Sequence, residues 1–351
     1  MQEDDTSGLT DSQFWSDPDR MTFQTARRLK AEKFSGIRLY APRQVPIDLR
    51  ESLPLILFQV ASFREAFRMN FQDNALIVMV DIARHQLLVG FVTAPDVLSL
   101  PQDIDPTEIP EGTTAQQDTL DLRQHLQLDW KPATYLICIV VRDNVSNRIR
   151  VQLTRSPRAY VDPEAERFIA AQKRKLPLPA IWPPLAPRPI ADTPASEQLP
   201  DYRHRPDSPD LPEGFGVELA MDPVVPMRPG ARLMLRASFR MPASAGIVTA
   251  QHPTSSPPIV AGQMPTVLMP ITLLLTGSER AAPSVWRLIV PSFDPLGEPI
   301  DTASVSGYFT FDMLAVEDLR TPLQTYFVYW FCGEAMGGPS RLTLLSQDDI
   351  E

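Results

Sequence analysis

The chain has 351 residues, a formal net charge of −10, and 37 prolines against 15 glycines. The length suggests two domains, and the charge argues against a protein whose main task is gripping nucleic acid, because phosphate binding is driven by Lys and Arg. Proline fixes φ and donates nothing to a ladder, so a proline-rich chain with 43% hydrophobic residues reads as all-β with long ordered loops.

Residues 1–20 are acidic and lack a hydrophobic period. Residues 21–34, MTFQTARRLKAEKF, place Phe23, Ala26 and Leu29 on one face of a short helix. Its Arg27, Arg28, Lys30 and Lys33 form the densest basic cluster in the first hundred residues. They make either a solvated helix face or an RNA-facing patch. We take 1–35 as an N-terminal arm and helix, and 36–156 as a first β-sandwich. GIRLYAP opens that domain as a strand. LPLILFQVASF (53–63) is a continuous apolar run, a buried strand or a short helix. Strands are expected over 74–83, 87–95, 118–128, 133–143 and 148–155.

Residues 157–213 hold thirteen prolines and form a long proline-rich connector. It opens with a helix over 162–175, with Asp162 as cap and Pro163 at the first helical position. An extended stretch follows, expected to lie pinned across a surface by Ile181 and Trp182. Strands return over 230–241, 245–253, 266–277, 284–293, 307–316, 325–335 and 341–346, the spacing of a second β-sandwich spanning 214–351.

The two halves read as copies. NALIVMVDIAR-x₅-GFVTA (74–94) aligns on GARLMLRASFR-x₅-GIVTA (230–250), and TLD-x₁₂-TYLICIVVRD (119–143) on TFD-x₁₂-TYFVYWFCGE (310–334). On this alignment the second copy carries about 35 extra residues in its middle. The matched Tyr135 and Tyr326 are candidates for tyrosines that lock sandwich corners.

Motifs of catalysis are missing. His85, His125, His204 and His252 are not at metal-ligand spacing, and there is no HExxH, CxxC, GxSxG or Walker loop. Cys138 and Cys332 sit in apolar strands and read as buried small hydrophobes. We expect no catalytic residue, cofactor or metal. The polar, acidic N-terminus is not a secretory signal, and no apolar run reaches a membrane span. A soluble protein of a reducing compartment is therefore expected.

The second half resembles picorna-like virus coat proteins. An amphipathic strand leads to a Gly, a second strand and a proline in ARLMLRASFRMPASAGIVTAQHP (231–253). VWRLIVPSFDPLGEP (285–299), the Gly-aromatic-x-aromatic of SGYFTFDMLAV (306–316) and TYFVYWFCG (325–333) follow. Two such domains in one chain are similar to the two-jelly-roll large coat protein of the comovirus group. The resemblance implies a capsid subunit, assembled in the host cytoplasm into a virion by self-association, with a second coat protein and RNA on the inner surface. Trp15, Trp182 and Leu185 would then sit at subunit contacts. The same strands support a cytosolic two-domain immunoglobulin-like binding or scaffold protein, or a carbohydrate-active β-sandwich.

Overall fold

The computed structural model describes residues 34–92, 111–155, 188–189, 201–248, 267–278, 283–292, 304–316 and 324–346. The fold is all-β in the main, with a few short helical turns. The chain divides into two compact units, 1–185 and 186–351. The helices expected over 21–34 and 162–175 lie outside the described residues.

In the first unit, β1 (Gly36–Tyr40), β3 (Pro54–Ser62) and β6 (Thr113–Asp121) form an antiparallel sheet in the order β1-β3-β6. The second sheet runs β2-β9-β7-β4-β5, built from β2 (Gln44–Pro46), β9 (Ile149–Thr154), β7 (Ala133–Val141), β4 (Leu76–Asp81) and β5 (Gln86–Phe91). A two-residue β8 (Asn144–Val145) pairs with β7, and β2 runs parallel to β9. The inward residues of both sheets share one core. Ile37, Leu39, Leu55 and Leu57 come from the first sheet, and Ile77, Met79, Ile137 and Val151 from the second. Burial of each such side chain stabilises by about 1.5–3 kcal/mol.

The ambiguous run at 53–63 resolves as a strand that ends in a helix start. Ser62 Oγ accepts from the Glu65 N–H at 3.2 Å, and Glu65 Oε2 accepts from the Ser62 N–H at 3.1 Å. This reciprocal capping box begins α1 (Phe63–Met69), which Asn70 ends at φ 41 before α2 (Phe71–Asn74). The strand expected over 118–128 stops early. Asp121 Oδ1 accepts from the Arg123 N–H at 3.1 Å and turns the chain into α3 (Leu122–His125).

The second unit repeats the plan. One sheet runs β11 (Gly216–Ala220), β13 (Met234–Pro242), β17 (Ser304–Asp312). The other contains β16 (Ser284–Ser292), β15 (Val267–Gly277), β18 (Thr325–Cys332), β19 (Ala335–Ser346) and β12 (Val224–Met227), in that order. A two-residue β10 (Arg188–Pro189) lies parallel on the outer side of β16, and β14 (Ile247–Val248) pairs with β15. Again one core joins the sheets, with Leu233, Leu235, Phe239, Leu273, Trp286, Phe309 and Val328 all buried.

Register shows how closely the units agree. Gly36↔Val60 has its counterpart in Gly216↔Arg240, and Pro54↔Asp121 in Met234↔Asp312. The parallel pair Gln44↔Gln152 recurs as Val224↔Thr343, and Tyr135↔Val151 as Tyr326↔Leu342. The hairpin pair Leu76↔Phe91 recurs as Thr272↔Arg287.

These pairs correct one of the two sequence alignments. TLD and TYLICIVV do fall on TFD and TYFVYWFC, as β6 and β7 on β17 and β18. The strand at 74–83, however, corresponds to β15 and not to the strand at 230–241, which corresponds to β3. Amphipathic strands of similar composition misalign by one element when their periods match. The extra length of the second copy is correspondingly smaller. The displacement is 180 (36 to 216) through β3, 196 (76 to 272) in the hairpin and 191 (135 to 326) at the end.

The equivalence extends to side chains. Asp121 Oδ1 also accepts from the Leu53 N–H at 3.0 Å. Asp312 Oδ1 accepts from the N–H groups of Leu233 at 3.0 Å and Leu314 at 3.1 Å, at the start of α4 (Met313–Val316). In each unit one carboxylate ties the last residue before the long central strand to a helical turn. One difference between the inward faces bears on a sequence motif. Gln59, Gln116 and Asp118 of the first unit are replaced by Phe239, Gly307 and Phe309 in the second. A Cβ on Gly307 would lie 2.6 Å from the Phe239 ring. Core packing therefore accounts for Gly307, Phe309 and Phe311 of the Gly-aromatic-x-aromatic motif, while Tyr308 lies on the other face.

Residues 201–213 form a strap on the second unit. Asp201 and Thr310 exchange backbone hydrogen bonds at 2.8 Å. Arg236 pairs with Asp207 at 2.5 Å, the Ser238 hydroxyl donates to Asp210 O at 2.6 Å, and Arg240 donates to Glu213 O at 3.0 Å. The His204 ring meets Tyr308 edge-on at 4.7 Å. Ser238 and Thr310 are buried on this face. This part of the connector is pinned by polar contacts.

Candidate functional site

Arg27, Arg28, Lys30 and Lys33, expected to face RNA, and Trp15, Trp182 and Leu185, expected at subunit contacts, all lie outside the described residues. Among the described residues no group of three His, Cys, Asp or Glu side chains is arranged to hold a metal ion. Both thiols are buried, and burial pushes Cys138 and Cys332 up to about 12, so neither is a thiolate nucleophile near neutrality. Burial lowers His125, whose Nε2 bonds to the Phe91 carbonyl and fixes α3 against the end of β5. Tyr135 is raised to about 12 by burial and by the charge of Asp81, whose carboxylate is paired with Arg84 at 2.5 Å. These are structural arrangements. No described helix is long and apolar enough to cross a membrane, which says nothing of strands.

The surface that stands out is one loop end of the first unit. α1 connects β3 to β4 there, and the Arg142-Asp143 turn follows β7. Arg64 and Arg68 are one helical turn apart, on the same face of α1. Arg142 donates through Nη1 to the Arg68 carbonyl, and Arg68 Nη1 lies 3.7 Å from Asp143 Oδ2. Phe63 is 39% exposed, its ring lying against Gly112 at the start of β6. Arg68 and Arg142 thus meet at this end, with Arg64 on the same helix face and an exposed phenyl ring at the helix start. Glu65 is engaged in the α1 cap, and Asp143 faces Arg68.

Comparison with the second unit sharpens this. By register, Phe63 and Arg64 correspond to Ala243 and Ser244, and Arg142 and Asp143 to Gly333 and Glu334. Arg142 has φ 53 and Gly333 has φ 56. The first unit therefore holds an arginine in the left-handed region where the second uses glycine, at a cost of about 1–2 kcal/mol. Sequence reasoning passed over these residues. The available signal was the alignment of VVRD on FCGE, which sets Arg142 opposite Gly333.

No family model matches the chain, and no curated protein matches it.

Proposed function

We propose that the chain is a non-enzymatic binding or scaffold protein made of two immunoglobulin-type sandwiches. The observation that carries this reading is the strand order. Labelled along the immunoglobulin chain, β1, β3 and β6 take the places of strands A, B and E, and β2-β9-β7-β4-β5 those of A′-G-F-C-C′. The parallel β2–β9 pair is then the A′–G pair, and the second unit repeats the whole order. The segments where strand D would run, 93–110 and 293–303, lie outside the described residues.

Tyr135 and Tyr326, each buried at the start of strand F, match the corner tyrosine. The positions two residues later, which carry a disulfide cysteine in antibody domains, are Ile137 and Val328. Both sandwiches therefore rely on aliphatic cores at that position, as suits a reducing compartment. The coat-protein resemblance rests on two jelly rolls, each an eight-stranded double sheet of two Greek keys. Among the described residues, three strands stand against a shared main run of five, with β4 and β5 as a local hairpin, and this division favours the immunoglobulin-type order.

Electron microscopy and light scattering on the purified full chain test the proposal. A uniform monomer or dimer is expected. Closed shells built from this chain would overturn it and restore the capsid reading.

A further inference from the structure

We propose that the loop end of the first unit docks an acidic polypeptide segment, with carboxylates on Arg64, Arg68 and Arg142 and an apolar side chain on Phe63. The inference rests on the binding-protein reading and adds the partner's chemistry.

Three observations carry it. The first is charge. The chain is −10 overall, yet α1 carries Arg64 in its first turn and Arg68 in its last on one face, and Arg142 reaches the Arg68 carbonyl, where Asp143 is the carboxylate facing Arg68. A ligand that prefers this end to the rest of an acidic surface is an anion. The second is composition. Arginine and exposed aromatic side chains dominate the energetics of protein interfaces, and guanidinium groups bind carboxylates bidentately. The third is strain. Arg142 occupies φ 53, where the sister unit places Gly333 at φ 56. Its side chain lies on the Arg68 carbonyl, which brings its charge to α1.

The second unit has none of this at the corresponding end, where Ala243, Ser244, Gly333 and Glu334 stand instead. It therefore serves as an internal control. A nucleic acid is the less suitable occupant. Tracking phosphates requires a longer row of cations, and the acidic chain repels an extended polyanion.

The test uses the full chain and a fluorescein-labelled peptide of alternating Glu and Phe, read by anisotropy. The same peptide with Gln for Glu, and a single-stranded oligouridylate, are run beside it. The Glu-Phe peptide is expected to bind, and to bind more weakly as salt rises. The double substitution Arg64→Glu, Arg68→Glu should weaken it by about tenfold or more, and Phe63→Ser by about fivefold.

Arg142→Gly is the variant that keeps the fold safe, because it installs the residue the second unit uses in the same turn. It should weaken the peptide about threefold and leave the unfolding midpoint unchanged or raised. Absence of peptide binding overturns the inference. So does equal affinity for the Gln peptide, insensitivity to all three variants, or oligouridylate binding that the same substitutions abolish in place of peptide binding. If the peptide fails while the protein is a uniform monomer or dimer, the inference falls alone. Closed shells would remove the binding-protein reading itself.

Discussion

Removing the Asp121 carboxylate should unlatch the first unit, and removing Asp312 should do the same, separately, to the second. Asp121 is buried, and its Oδ1 receives two backbone N–H groups, from Leu53 at 3.0 Å and Arg123 at 3.1 Å. Alanine leaves both donors without that partner. An unsatisfied buried donor costs about 1–3 kcal/mol. The lost cap at the start of α3 falls within the same range. Since the two bonds share one acceptor they will not add fully, and about 2–5 kcal/mol is expected for Asp121→Ala. That is a large part of the 5–15 kcal/mol typical of a whole domain.

Asp312→Ala removes the matching bonds to Leu233 and Leu314 and should cost a similar amount. Two units do not unfold as one transition, so the assay must localise the effect. Native-state hydrogen exchange by mass spectrometry does so. Asp121→Ala should deprotect β3 and β6 and leave β13 and β17 unchanged, and Asp312→Ala should do the reverse. An effect below about 0.5 kcal/mol in either variant, or loss of protection in the wrong unit, would refute the argument that these carboxylates are equivalent latches.

Asp118 is a core-side carboxylate beside Leu57. Burial raises it, while the bond from Gln116 at 2.8 Å works the other way. A raised acid is bound more tightly to its proton in the folded state, so stability falls as pH rises from the unfolded pKa near 3.8 through the folded value. Asp118→Asn should therefore stabilise the first unit at pH 7, with the gain shrinking as pH falls towards 4; a gain that grows on acidification would contradict this. His125 acts in the opposite sense. Its folded pKa is depressed below 6.5, so stability is full above that pH and declines as pH drops beneath it. His125→Gln, which does not titrate, should flatten the denaturation midpoint of the first unit between pH 7 and 5, and an unchanged slope would count against it. Trp286 is wholly buried, its Nε1 has no hydrogen-bond partner among the described residues, and its ring meets Phe311 edge-on at 6.2 Å. Trp286→Phe removes that orphan donor and should cost under about 1.5 kcal/mol in urea denaturation, against about 3–5 for Trp286→Ala. Equal costs would show the indole nitrogen to be satisfied.

Strand existence was readable because burial writes itself into period two. β9 alternates buried and more exposed positions along IRVQLT, and Ile77, Met79, Leu233 and Leu235, at alternate positions of the expected strands, are fully buried. The capping residues Ser62 and Asp121 were also on the page, but an apolar run hides where a strand becomes a helical turn. Sheet order was not readable. Which strand β4 pairs with is fixed by contacts between distant residues, such as Val78 with Cys138, and not by local pattern. The alignment of 74–94 on 230–250 failed for that reason. The loop-end site was invisible for a related reason. Phe63 and Arg142 are far apart in sequence, and each alone is an ordinary surface residue.

The strap of the second unit changes what its prolines are for. Among the described residues β17 is an edge strand, and an uncovered strand edge seeds aggregation. Asp201 occupies one point on that edge, and Arg188-Pro189 lies along the outer side of β16 in the other sheet. A segment that covers an edge and is itself rich in residues without an N–H cannot pass the pairing on to a further strand. The second unit should therefore be cut out of the chain ahead of Arg188. Begun at residue 214, where composition alone would place the boundary, it would lose the cover that residues 188–189 and 201–213 give to β16, Ser238 and Thr310, and it should aggregate where the longer piece stays monodisperse.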